Sequence, residues 1–160
     1  MSHSTNLDFH GLLSNAASHV FATMLSMDLK DAPDAEYTTN GEERVVASVG
    51  FGGDGIAGRL SLNVTSEFSK TISAAMLGLE RDEIEVPADV NDVLGELANV
   101  IGGNCLAALH DQGYLCALSL PSVTRGISLQ TNTARGAKHT QVSFDHGQDR
   151  FFVSLDFKCG

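Results

Sequence analysis

The sequence predicts an α+β fold, a largely antiparallel sheet packed with two long helices and one shorter helix, and three observations carry that reading. Apolar residues recur at helical spacing over 7–30, 66–77 and 87–111, the period of helices with one buried side. Two pairs of Val-, Leu- and Phe-rich segments alternate at period two around short glycine-containing turns, the pattern of hairpins with one face on a core. The chain also matches itself. Residues from Asp8 align without a gap to those from Asp92, placing Gly11 on Gly95, Leu13 on Leu97, Asn15 on Asn99 and Leu25 on Leu109. The hairpins align in the same order, Val49 and Phe51 on Val142 and Phe144, Ser61 and Leu62 on Ser154 and Leu155. Two copies of a helix-plus-hairpin unit imply an internal pseudo-twofold axis relating the long helices. At 160 residues the chain suits a single domain, 1–160, with one hydrophobic core.

In chain order, the first helix is expected over about 7–30, with Ser4, Thr5 or Asn6 as N-cap and Asp8 in the first turn. Leu13, Ala16, Val20, Met24 and Met27 form its apolar stripe, and Pro33 ends it in a turn-rich stretch over 31–41. Strands follow over 44–51 and 58–64, the second with Leu60, Leu62 and Val64 inward and Arg59, Ser61 and Asn63 outward. The intervening GGDG lacks the P-loop lysine and joins two strands, so it reads as a turn and not as a phosphate cradle. A shorter helix over 66–77, capped by Thr65 and stopped by Gly78, turns Phe68, Ile72, Ala75, Met76 and Leu79 to one side. An acidic connector leads to the second long helix, 87–111. Beyond it the pattern predicts a strand over 114–120 closed by Pro121, then a polar segment over 122–138 with a short strand near 127–129. A final hairpin, 139–144 and 150–157, turns through DHGQ.

The helix over 87–111 is the element that carries chemistry. Val90, Val93, Leu94, Leu97, Ile101, Cys105 and Ala108 gather on one side at about 100° per residue. Pro87 suits its first turn, Asp89 and Asp92 its positive end, and Gly113 its stop. The other side carries Asp92, Glu96, Asn99 and Gly103 in register, so a carboxylate and a carboxamide project together with bare backbone one turn on. Gly102 and Gly103 cost the helix on the order of 1–2 kcal/mol relative to Ala, which is offset if a partner approaches that side closely. Where Glu96 stands the first copy has Leu12, so only the second helix is fully equipped. On the residues alone the stripe also reads as the wet side of an amphipathic helix, or, through its glycines, as a packing face of a non-catalytic dimeric binding module.

Composition removes other classes. There are 20 acidic and 10 basic residues, a formal net charge of -10, and the basic residues do not cluster, which argues against nucleic-acid binding. Cys105, Cys116 and Cys159 form no C-x-x-C pair, so neither a disulfide framework nor a thiolate metal site is suggested. The six histidines show no H-E-x-x-H spacing, and His110 reads as a rim residue beyond Gly103. No metal or cofactor held by this chain is expected. No run approaches the roughly 18 apolar residues of a membrane-spanning helix and the first ten residues show no leader pattern, so a reducing cytoplasm is the expected compartment.

Asp92-x3-Glu96-x2-Asn99, followed by Gly102-Gly103-Asn104 and, after 21 residues, by Pro121, resembles the signature of the CheC, CheX and FliY family of chemotaxis phosphatases. The spacing to the proline is one residue short of that signature, a shortfall near 110–114 that leaves the role of Pro121 open. A single complete motif resembles the CheX branch most. The resemblance implies a pseudosymmetric CheC-like fold, a homodimer, and hydrolysis of the phospho-aspartate of a CheY-like response-regulator receiver domain. It implies that Asn99 orients the attacking water, that Glu96 pairs with the receiver's lysine, and that the receiver supplies Mg2+. Gly102 and Gly103 would admit the receiver's loops. Asp92 has two readings, a partner contact or a charge serving the helix N-terminus.

Overall fold

The computed structural model describes residues 8–33, 41–127 and 136–159. Helix α1 spans Phe9–Leu25, and Asp8 is its N-cap, the carboxylate accepting from Gly11 N–H at 3.0 Å. Asp8 therefore stands before the first turn; Ser4, Thr5 and Asn6 lie outside the described residues. The helix ends at Leu25 and not near Lys30. Ser26 turns left-handed at φ 54° and Met27 N–H closes on Phe21 O at 3.0 Å, a Schellman-type end made without glycine. The chain released by this stop forms β1, Lys30–Asp31, which pairs with a strand near the C-terminus.

The first hairpin consists of β2, Glu43–Gly53, and β3, Ile56–Thr65. Helix α2, Ser66–Leu77, begins where Thr65 accepts from Phe68 N–H at 3.0 Å and stops at left-handed Gly78, as its sequence predicts. Its buried side is shifted from the expected stripe. Phe68, Ser69, Ile72 and Ser73 are buried, whereas Ala75 and Leu79 are exposed and Met76 half-buried. The serines tolerate burial because their hydroxyls donate back to the carbonyls of Ser66, at 2.6 Å, and Ser69, at 2.8 Å. A short 3-10 helix, Arg81–Glu83, occupies the acidic connector, and Arg81 reaches back to Glu67 at 2.6 Å.

Helix α3 spans Ala88–Asp111, within one residue of its expected bounds. After it, β4, Cys116–Leu118, and β5, Ser122–Ile127, both pair with β2, β4 against residues 51–53 and β5 against 43–48. This corrects the single strand expected over 114–120 and the mostly irregular segment after it; residues 128–129 of the short strand expected there lie outside the described residues. β2 is 11 residues long and its edge N–H and C=O groups need partners along that length. Pro121, which has no N–H to give a ladder, sits at the break. The second hairpin is β6, Lys138–His146, with β7, Asp149–Cys159.

All seven strands make one antiparallel sheet in the order β1-β6-β7-β3-β2, with β4 and β5 sharing the outer edge of β2. Ser61 and Ser154, matched in the self-alignment, are register partners across the central β3–β7 pair, flanked symmetrically by Leu60–Leu155 and Leu62–Val153. A rotation exchanging the hairpins must pass through that serine pair, so the duplication legible in the sequence is the axis of the sheet. One sheet face, including Val45, Ala47, Leu60, Leu62, Val153 and Leu155, packs with the helices in a single core. Ser61 lies on the other face, yet is only 2% exposed, its hydroxyl 2.9 Å from that of Ser48.

Cys105 lies in this core, and burial pushes its thiol up to about 12. At pH 8 the reactive thiolate is then only about one part in ten thousand. Cys159 is exposed. In the native protein a thiol reagent at pH 8 is expected to label Cys159 and leave Cys105 unmodified until the chain unfolds, which peptide mass mapping before and after denaturation checks.

Candidate functional site

Helix α3 is held by its apolar side. Val90, Leu94, Leu97, Ala98 and Ile101 are fully buried against the sheet and neighbouring helices, and full burial of such side chains stabilises by roughly 1.5–3 kcal/mol each. Both ends are tied down. Glu85 N–H donates to Asp89 Oδ2 at 2.8 Å at the start, and His110 Nε2 donates to Cys116 O at 2.9 Å at the finish. His110 thus fastens the helix end to β4, a structural use of a side chain that projects near the stripe.

The stripe itself stands on the outward side. Asp92 and Glu96 are exposed, Asn99 and Gly103 half-buried. No side-chain hydrogen bond or ion pair ties Glu96 or Asn99 to any described residue. Successive turns of an α-helix place them about 4.5 Å apart along the axis and roughly 60° apart around it, so the carboxylate and the amide project side by side from a convex ridge. Asp92 is one turn before Glu96 and beyond the first turn of the helix, where Asp89 stands. Among the described residues no group of three His, Cys, Asp or Glu side chains could hold a metal ion, and no described helix is long and apolar enough to cross a membrane.

The two glycines separate. Gly103 belongs to the stripe, and a Cβ added there meets nothing within 4 Å. Gly102, expected on the presented side, is buried on the other: a Cβ there would lie 2.9 Å from Val49 Cγ2 and 3.3 Å from Leu118 Cδ2. Its lack of a side chain serves close packing of α3 on the sheet, because Gly102 lies about 100° from Gly103 around the helix. Opposite stability effects follow. Gly103→Ala is expected to stabilise by about 0.5–1 kcal/mol through helix propensity. Gly102→Ala is expected to destabilise by about 1 kcal/mol, since overpacking against a stiff β-branched strand residue outweighs the same gain. Urea denaturation of the two variants measures both.

The edge formed by β4 and β5 runs antiparallel along the flank of α3. Leu118 lies against Gly102, and Pro121 against Gly95, where an added Cβ would be 3.5 Å from the Pro121 ring. Arg125 Nη2 donates to Asn91 Oδ1 at 2.6 Å. Pro121 therefore supports the stripe from beside it, buttressing the turn that carries Glu96. Leu120, which precedes Pro121 and is not singled out by the sequence pattern, is 90% exposed. A leucine between a serine and a proline at a strand end was the available signal.

A family model described as chemotaxis phosphatase CheX matches residues 45–145. Among curated proteins none matches this chain in sequence. Solved structures match over nearly the full length. Chemotaxis protein CheX from Vibrio vulnificus is 19% identical, with 99% of each chain covered and a TM-score of 0.80. A CheC-like superfamily protein from Shewanella sp. PV-4 is 23% identical, covering 96% of this chain and 99% of that one at a TM-score of 0.82. A chain of the CheX–CheY–BeF3–Mg2+ complex from Borrelia burgdorferi is 20% identical, covering 96% and 99% at 0.75. At such identities the structures speak for a common fold, and the family model, which spans most of the chain including the stripe and Pro121, speaks for membership: this chain belongs to the CheX family of chemotaxis phosphatases.

Proposed function

We propose that this chain hydrolyses the phospho-aspartate of a CheY-like receiver domain by inserting the α3 stripe into the receiver's phosphorylation site. The observation that carries this reading is the pairing of Glu96 and Asn99 on a convex, firmly seated ridge with neither side chain engaged within the described residues. A convex ridge suits a concave protein site better than a small molecule. The related fold found in a CheX–CheY–BeF3–Mg2+ complex supports the choice of partner.

The chemistry asks little of the phosphatase. An acyl phosphate already has a good carboxylate leaving group, and Mg2+ with a lysine on the receiver neutralises the phosphoryl oxygens, so the missing part is a water placed in line. Asn99 supplies it. Its Oδ1 accepts a hydrogen bond from the water and its Nδ2 donates toward an oxygen, with no added negative charge to repel the phosphoryl group. Half-burial limits the rotamers of the amide, so less freedom is lost on orienting the water. Glu96 meets the receiver's lysine in a charge-assisted hydrogen bond that sets register, and bare Gly103 leaves room for a receiver loop. Asp92 extends the acidic edge of the same ridge toward the partner. Mg2+ arrives with the receiver, and the reaction runs in the cytoplasm.

Turnover tests this. With the chain at a tenth of the concentration of a phosphorylated receiver encoded in the same genome, inorganic phosphate release is expected to exceed the amount of chain present while shortening the receiver's phosphorylated lifetime. Release no faster than the receiver's own decay, across the encoded receivers, would overturn the reading.

A further inference from the structure

Leu120 is the most exposed of the large apolar side chains among the described residues, at 90%, yet its backbone is firmly mounted. On one side Ser119 N–H donates to Gly50 O and Gly50 N–H donates to Ser119 Oγ, each at 2.8 Å. On the other, Pro121 rests against Gly95 and Ser122 pairs with Ser48. The position along α3 follows from the flanking contacts. Gly102 and Gly95, touched by Leu118 and Pro121, are separated by about 10 Å of helix axis, and three extended residues cover about the same distance. Leu120 therefore stands level with residues 97–99. Around the helix, Asn99 lies only about 40–60° from the Gly95–Gly102 line, so Leu120 flanks Asn99 on the side away from Glu96.

The other copy of the unit offers a control. Ala32 N–H donates to Ser143 O at 2.9 Å, matching the bond from Ser119 N–H to Gly50 O, so Pro33 occupies the place of Leu120 in the first copy. That copy also has Leu12 in place of Glu96. The acidic register residue and the projecting leucine occur together, in the copy with the complete stripe.

We infer that Leu120 is an apolar anchor that docks the receiver beside its phosphorylation site, contacting an apolar or aromatic side chain at the mouth of that site. This rests on the phosphatase reading above. A projecting leucine on a fixed backbone gives apolar burial on association with little ordering cost, the property of a binding hot spot. Its contribution belongs to docking and not to the chemical step, because it offers no polar group to the water or the phosphoryl oxygens.

The test is steady-state dephosphorylation of an encoded, acetyl-phosphate-labelled receiver by the full chain, Leu120→Ser and Leu120→Met, with melting temperatures and sedimentation equilibrium of all three. Leu120→Ser is expected to raise the half-saturating receiver concentration about tenfold or more, leave the maximal rate within twofold, and leave the melting temperature and oligomeric state unchanged. Leu120→Met is expected to restore most of the docking. An unchanged half-saturating concentration with an active wild type overturns the anchor while leaving the phosphatase reading intact. A change of oligomeric state in Leu120→Ser overturns it in favour of a second copy as occupant. A wild type inactive on every receiver overturns both.

Discussion

Replacing Asn99 with Ala is expected to slow phosphoryl loss from a saturated receiver by about 10²-fold, roughly 3 kcal/mol of barrier, with little change in affinity. The amide lies on the ridge without a partner among the described residues, so its removal leaves no buried polar group unsatisfied and does not weaken the fold. Under the proposed function, only the attacking water then loses its guide. Asn99→Asp sharpens the point: the shape is kept, but both N–H donors of the amide are lost and a negative charge is set against the phosphoryl oxygens, so the rate is expected to fall at least as far. Single-turnover decay at saturating chain, with affinity measured on a beryllofluoride-activated receiver, separates rate from binding. A loss confined to affinity would assign Asn99 to docking.

Glu96→Ala is expected to do the reverse, raising the half-saturating receiver concentration by about 10- to 100-fold, the range of a lost charge-assisted hydrogen bond. Glu96 is exposed in the free chain, so under the proposed function it is buried against a lysine only in the complex, where truncation would strand that lysine. Glu96→Gln keeps the length and loses the charge; recovery of a small part of the affinity is expected. Both variants should melt with the wild type. If instead the maximal rate collapses while affinity stays, Glu96 acts on the reacting atoms and the division of labour along the ridge is wrong.

What the sequence showed plainly was whatever depends on local rules. α2 starts at Thr65 and stops at Gly78 because a hydroxyl cap and a left-handed glycine are local chemistry. The duplicated hairpins, and with them the axis through Ser61 and Ser154, follow from a period of two read twice. Features set by distant partners were not legible. Lys30–Asp31 is a strand because Asp145 and Phe144 pair with it, and β5 exists because the long edge of β2 requires it. The end of α1 was hidden since Ser26, unlike glycine, carries no sign of a left-handed φ. Within the site, Glu96 and Asn99 could be read from helical phase and motif, whereas Gly102 could not: a residue without a side chain adds nothing to an apolar stripe, and only the neighbouring Val49 and Leu118 reveal which way it faces. Leu120 was concealed for a related reason, because apolar residues in a strand are read as core.

The proposed function stands on an amide, carried on a stiff helix, that enters another protein and steers water onto its phosphorus. Its most direct measurement is the phosphorylated lifetime of a cognate receiver at saturating wild-type chain, with complex formation confirmed in the same sample. A lifetime shortened about a hundredfold by the wild type and returned to near the receiver's own value by Asn99→Ala is expected. A receiver demonstrably bound by the wild type yet decaying at its unassisted rate would contradict it.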